Sequence, residues 1–151
     1  MIFIDYLVFM STKMRAFTII AVALLISSTA FAGDIQYTVN PHATLTRTVG
    51  SAVSAEDALY LVVSITAKNL TPKKHFLTEM FGRKFQVKSG EFSFNLDGGA
   101  GWQGDTATGD EPLNPLMTTH FKLAFTVPNE LAHSNWTFVT PDEQTFEVSA
   151  K

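Results

Sequence analysis

Residues 95–111 read Asn-Leu-Asp-Gly-Gly-Ala-Gly-Trp-Gln-Gly-Asp, then Thr-Ala-Thr-Gly-Asp-Glu. Asp97, Asp105, Asp110 and Glu111 are hard oxygen donors, the ligand type that calcium gathers in sets of six to eight. The glycines let the backbone turn sharply and come close to a ligand. The spacing departs from the EF-hand pattern, which needs acids at alternate positions, Gly at the sixth and Glu at the twelfth. Two readings follow: a calcium site, or an acidic loop kept soluble by its charge. Trp102 stands among these glycines. It could stack on a sugar ring or anchor a protein partner. The competing role, that it folds back over one end of a core, weighs more because large aromatics are usually buried.

Other chemistry finds little footing. His42, His75, His120 and His133 are never two or four residues apart, so no local metal-ligand pair exists. Structural or surface roles are expected for all four. No nucleophile elbow surrounds any serine, and the glycines at 98–104 lack the lysine of a phosphate-cradling loop. Carboxylates for glycoside hydrolysis pair only in space, so spacing does not decide that case. The expectation is a protein without catalytic residues or a resident cofactor, calcium being the one candidate. Lys73-Lys74-His75-Phe76, with Arg83-Lys84, forms a small basic region that suits a solvated face or an anionic surface.

The elements that must position these residues are bounded by composition. The chain has 151 residues, 46% hydrophobic and only 17% charged, which disfavours long solvated helices. Thirteen Phe against five Met indicate a stiff aromatic core. The net charge is −3 and no cationic block exceeds Lys73-Lys74, so nucleic-acid binding is not expected. There are no cysteines, which excludes disulfides, thiolate metal sites and a lipidated cysteine within this chain.

Residues 1–32 read as a targeting segment. Lys13 and Arg15 precede an apolar stretch over 16–26, and Ala30-Phe31-Ala32 places small residues where signal peptidase reads them. Cleavage is expected between Ala32 and Gly33. The apolar stretch spans about 16 Å as a helix, short of the roughly 30 Å hydrocarbon core, so no stable membrane anchor is expected after cleavage. The apolar residues before Lys13 precede the charge, contrary to signal-peptide order, which points to a start at Met14 or Met10; the alternative is a long hydrophobic leader broken by residues 11–15. The remaining domain, 33–151, would be exported to the periplasm or the exterior.

Within that domain the dominant period is two, the strand period. Leu59, Leu61, Val63, Ile65 and Ala67 share one face; Tyr60 and Val62 make the start of the other face apolar as well, as in a central strand covered on both sides. Phe121, Leu123, Phe125 and Val127 alternate up to Pro128, which lacks an amide donor. Shorter runs are Ile35-Tyr37-Val39 closed by Pro41, Leu45 to Val49, Phe85-Val87, Phe92-Phe94-Leu96, Trp136-Phe138 and Phe146-Val148. Ser89-Gly90 suggests a hairpin turn, and residues 140–143 suggest another. Ser54 could cap one helical turn, and residues 129–133 could form a second. The longest stretch without periodicity is 97–115, a functional or a merely flexible loop. The pattern predicts an all-β, antiparallel β-sandwich of about seven or eight strands.

Three places resemble a family of small secreted bacterial domains of unknown function with an immunoglobulin-like sandwich, similar in architecture to the mycobacterial immunoprotective extracellular protein. They are Leu61-Val62-Val63-Ser64-Ile65-Thr66-Ala67-Lys68-Asn69, the Leu113-Asn114-Pro115 turn, and Leu123-Ala124-Phe125-Thr126-Val127-Pro128 followed by Trp136-Thr137-Phe138. The resemblance implies an immunoglobulin-like fold and brings no catalytic residues. The functional expectation is a non-enzymatic exported domain binding a protein or cell-surface partner. The alternatives are a carbohydrate- or calcium-binding module using the 97–111 segment, and a small hydrolase.

Overall fold

The computed structural model describes residues 28–30, 34–76, 85–96, 103–104 and 112–151. Its strands are β1 (Ser28–Ala30), β2 (Ile35–Val39), β3 (His42–Thr46), β4 (Thr48–Val49), β5 (Ala52–Val53), β6 (Ala58–Asn69), β7 (His75–Phe76), β8 (Gln86–Ser89), β9 (Phe92–Asn95), β10 (Gln103–Gly104), β11 (Pro112–Leu113), β12 (Thr118–Pro128), β13 (Asn135–Val139) and β14 (Thr145–Ala150). A 3-10 turn, Asn129–Leu131, follows Pro128.

β6 and β12 pair antiparallel over eleven positions, from Thr118 opposite Lys68 to Pro128 opposite Ala58. Their alternation aims Leu61, Val63, Ile65, Phe121, Leu123, Phe125 and Val127 into one core. β2 lies along the far end of β6, and β10 borders β12. The first sheet is therefore β10-β12-β6-β2, with β1 beside β2. The second is β3-β14-β13-β8-β9. Taken in chain order, β2, β6, β12 and β10 on one side and β8, β13 and β14 on the other reproduce the strand order of an immunoglobulin sandwich. The fold is an all-β immunoglobulin-like sandwich.

One segment joins both sheets. β2 pairs with Ile65–Asn69 of β6, and Pro41 interrupts the ladder because it cannot donate. β3 begins parallel to β14, His42 opposite Ser149, and ends antiparallel to β6, Thr44 opposite Val62. The peptide at Pro41 thus swings the chain across the edge of the sandwich, where Ser149 N donates to Pro41 O at 2.8 Å.

Aromatic contacts stitch the two sheets together. Phe125 of β12 meets Phe138 of β13 edge-on, centroids 6.1 Å apart. Phe85 stacks on Phe138 at 5.8 Å and receives the edge of Tyr37 at 5.9 Å. Each such pair adds about 0.5–1.5 kcal/mol beyond its burial. Trp136 is fully buried, in the register its alternation with Phe138 predicts.

The outer face of β6 is covered at its start. Tyr60 and Val62 pack with Val49, Ala52 and Ala124 beneath the β4–β5 hairpin. Two local expectations need correction. The β8–β9 turn is Gly90-Glu91, not Ser89-Gly90: Ser89 still pairs with Phe92, and Gly90 takes φ 57, which glycine adopts without strain. Ser54 caps no helix; its Oγ donates to Ala58 O at 2.9 Å, closing a turn in which Ala58 N donates to Ala55 O.

Candidate functional site

Asp97, Trp102, Asp105, Asp110 and Glu111 lie outside the described residues, as do Ala32 and Gly33 and the basic pair Arg83 and Lys84. The structure does describe the frame from which the 97–111 segment departs and to which it returns. Leu96 packs against the core on one side, and Leu113 is buried on the other.

That return point is built around Asn69, the last residue of β6. Asn69 is completely buried, and its amide is fully used. Nδ2 donates to Leu113 O at 2.9 Å and to Lys73 O at 2.6 Å. Oδ1 accepts from Thr71 N at 2.9 Å and Thr71 Oγ1 at 2.8 Å. Its backbone N donates to Met117 O, and its O accepts from Leu116 N. One side chain therefore fixes the 70–75 turn, the β7–β11 pair and the turn into β12. A neutral amide suits this place because it offers two donors and two acceptor lone pairs without a buried charge.

The histidines have separate structural tasks. His42 Nδ1 shares a hydrogen bond with Ser149 Oγ, His120 Nδ1 with Thr66 Oγ1, and His75 Nε2 with Thr71 Oγ1. His133 is exposed. Among the described residues, no group of three or more His, Cys, Asp or Glu comes together in a way that could hold a metal ion.

A concave feature of the described surface lies elsewhere, on the outer face of the second sheet at the β13–β14 turn. It is a groove of about 320 Å³ lined by Gln86, Lys88, Val139, Thr140, Pro141, Glu143 and Thr145. Pairing explains why these distant residues meet. Val139 lies opposite both Gln86 and Thr145, so three strands contribute side chains to one face. The turn is locked by its own polar groups. Thr140 Oγ1 donates to Asp142 Oδ1 at 2.5 Å and accepts from Gln144 N at 3.1 Å, while Thr140 N donates to Gln144 O. Glu143 is held at φ 64, a left-handed conformation that side chains other than Gly, Asn and Asp seldom take. Val139 and Pro141 supply apolar surface, Gln86 and Thr145 neutral hydrogen-bonding groups, and Lys88 and Glu143 opposite charges. Such a surface suits a partner with both polar and apolar groups. Spacing along the chain does not reveal it, because lining residues come from positions 86–88 and 139–145. The 140–143 turn is the one part that Pro, Asp and Glu announce.

The chain matches no family model and no curated protein. It does resemble solved structures. A conserved hypothetical protein of Bacillus anthracis superimposes with a TM-score of 0.63 at 13% identity, over 82% of this chain and 94% of that one. An uncharacterised β-sandwich protein of Clostridium difficile gives 0.56 at 13% identity, over 83% and 91%. A proposed lipoprotein of Bacillus subtilis gives 0.58 at 15% identity, over 82% of this chain and 39% of that longer one. At these identities the likeness is one of fold, and it agrees with the sandwich topology described above.

Proposed function

We propose that this chain is an exported, non-enzymatic sandwich domain that binds a protein or cell-surface partner through the groove between β8, β13 and β14. The groove itself carries the reading: a concave, mixed-polarity surface on a rigid sheet, set beside a turn held in a strained conformation. Its most buried hydroxyl, Thr140, is committed to holding the turn. Export is supported by the cationic and apolar order of residues 13–26 and the Ala30-Phe31-Ala32 site. The proposed lipoprotein with the same fold points the same way.

The experiment is photo-crosslinking in the producing cell. A photoreactive residue at Thr145 should yield a discrete adduct, whereas one at Glu91, on the hairpin beyond β8, should not. Lys88→Glu and Glu143→Lys should each abolish that adduct while leaving the unfolding midpoint unchanged. If Glu91 gives adducts and Thr145 gives none, the groove is not the binding surface.

A further inference from the structure

The turn that Asn69 anchors presents an apolar tip. Met117 N donates to Asn114 O at 3.1 Å, closing a four-residue turn with Pro115 second and Leu116 third. Leu116 sits at φ 61. A turn with Pro second and a positive φ third is of type II form, and glycine or asparagine is the residue it favours there. A leucine in that place is strained, and this one is 70% exposed, so neither backbone preference nor burial accounts for it. Met117 beside it is 55% exposed. Leu70 is 38% exposed and follows Asn69, whose backbone bonds both Leu116 and Met117. The backbone thus brings these three exposed residues together around Asn69.

Cations border it. Lys73, whose carbonyl accepts from Asn69 Nδ2, is exposed, as is Lys74, whose ammonium stands 5.0 Å from the Phe76 ring. Lys68 precedes Asn69 on β6 and pairs with Thr118. The one carboxylate-bearing residue bonded to this patch among the described residues is Asp34, through its main-chain carbonyl to Leu70 N. Among the described residues of the patch, Lys68, Lys73 and Lys74 thus outnumber Asp34 on a chain whose net charge is −3.

We propose that this tip docks reversibly on an anionic bilayer surface, with Leu70, Leu116 and Met117 entering the interface and Lys68, Lys73 and Lys74 facing the headgroups. The shape favours lipid over protein. The tip is an exposed turn, and it lacks the Trp, Tyr or Arg that dominate protein hot spots. Aliphatic side chains rimmed by lysine are the composition of interfacial membrane binders. The residues are separate from those of the groove, so this proposal and the partner reading can fail independently.

The absence of cysteine makes the test specific to the tip. In the full chain, Met117→Cys carries a unique environment-sensitive dye, and Glu91→Cys serves as the control at the far end of β8. With vesicles of equal phosphatidylglycerol and phosphatidylcholine, the dye at 117 should shift to the blue and the dye at 91 should not. Pure phosphatidylcholine should give no shift. Lys73→Glu with Lys74→Glu in the labelled chain should weaken binding at least 25-fold, since each lysine near an anionic surface contributes about fivefold. Leu116→Gly should weaken it about tenfold without lowering the unfolding temperature, a combination that a merely structural leucine does not produce. A chain labelled at 117 that gives no shift, or equal shifts at both positions, overturns the proposal. Insensitivity to the lysine changes overturns it as well, and a shift caused by an added acidic peptide but not by vesicles assigns the tip to protein.

Discussion

The Asn69 amide donates to the carbonyl of Leu113, 44 residues further along, and so ties the end of the longest strand to the turn that leads into its partner. The same amide also holds Lys73 O and Thr71. Asn69→Ala removes all four side-chain bonds and takes this donor from the buried Leu113 carbonyl. At about 1 kcal/mol per lost bond, the expected destabilisation is about 2–4 kcal/mol. Denaturant unfolding followed by Trp fluorescence measures it. A loss under about 1 kcal/mol would mean that water replaces the amide and that the frame does not depend on it.

Leu116 makes the opposite prediction. Relief of left-handed strain is worth about 1–2 kcal/mol, and the extra freedom of glycine in the unfolded chain offsets about 0.5–1 kcal/mol of it. Leu116→Gly should therefore raise stability by about 0.5–1 kcal/mol, visible as a higher thermal midpoint. Leu116→Ala keeps the strained φ and should show no gain. A clear drop for the glycine variant would show that the leucine side chain packs usefully.

The inter-sheet aromatics should couple. Phe125→Leu and Phe138→Leu, measured singly and together, should give an interaction term of about 0.5–1.5 kcal/mol. Phe92 is 60% exposed on the hairpin, and Phe92→Ala should change stability by no more than about 0.5 kcal/mol. Additive losses for the buried pair would mean that the edge-on contact adds nothing beyond hydrophobic burial.

Deleting Ser149, Ala150 and Lys151 removes the bonds Ser149 N to Pro41 O and Lys151 N to Ala43 O. Hydrogen exchange should then lose protection at residues 41–46 while Val63 and Phe125 stay protected. Uniform loss across the chain would show that closure of β3 is part of the global unfolding unit rather than a local one.

The strands were legible where one face is buried and the other wet. β12 declares itself through Phe121, Leu123, Phe125 and Val127, and the apolar Tyr60 and Val62 foretold the cover that Val49 and Ala124 provide. Other features have no local signal. Asn69 reads as an ordinary turn residue, because what it bonds lies at positions 71–73 and 113–117. Leu116 carries no turn signature of its own, since leucine is not a residue that left-handed backbone selects. The parallel contact of β3 with β14 joins residues with no shared pattern. The groove needs a register that brings Gln86, Val139 and Thr145 side by side, and no spacing along the chain encodes it. The acidic, Trp-bearing segment that drew most chemical attention falls outside the described residues, so its calcium and sugar readings stand as expectations.

The junction of β3 with β14 sets a timetable for the chain. His42 and Ser149 are 107 positions apart, so the edge that Pro41 carries across the sandwich cannot be sealed by anything made before β14. Pairing over such separations is slow, in the millisecond-to-second range for sandwiches of this type. Under the export proposed above, the polypeptide must stay threadable until it has passed its channel. β14 is itself the latch of that edge, and a copy that lacks it stays open along β3.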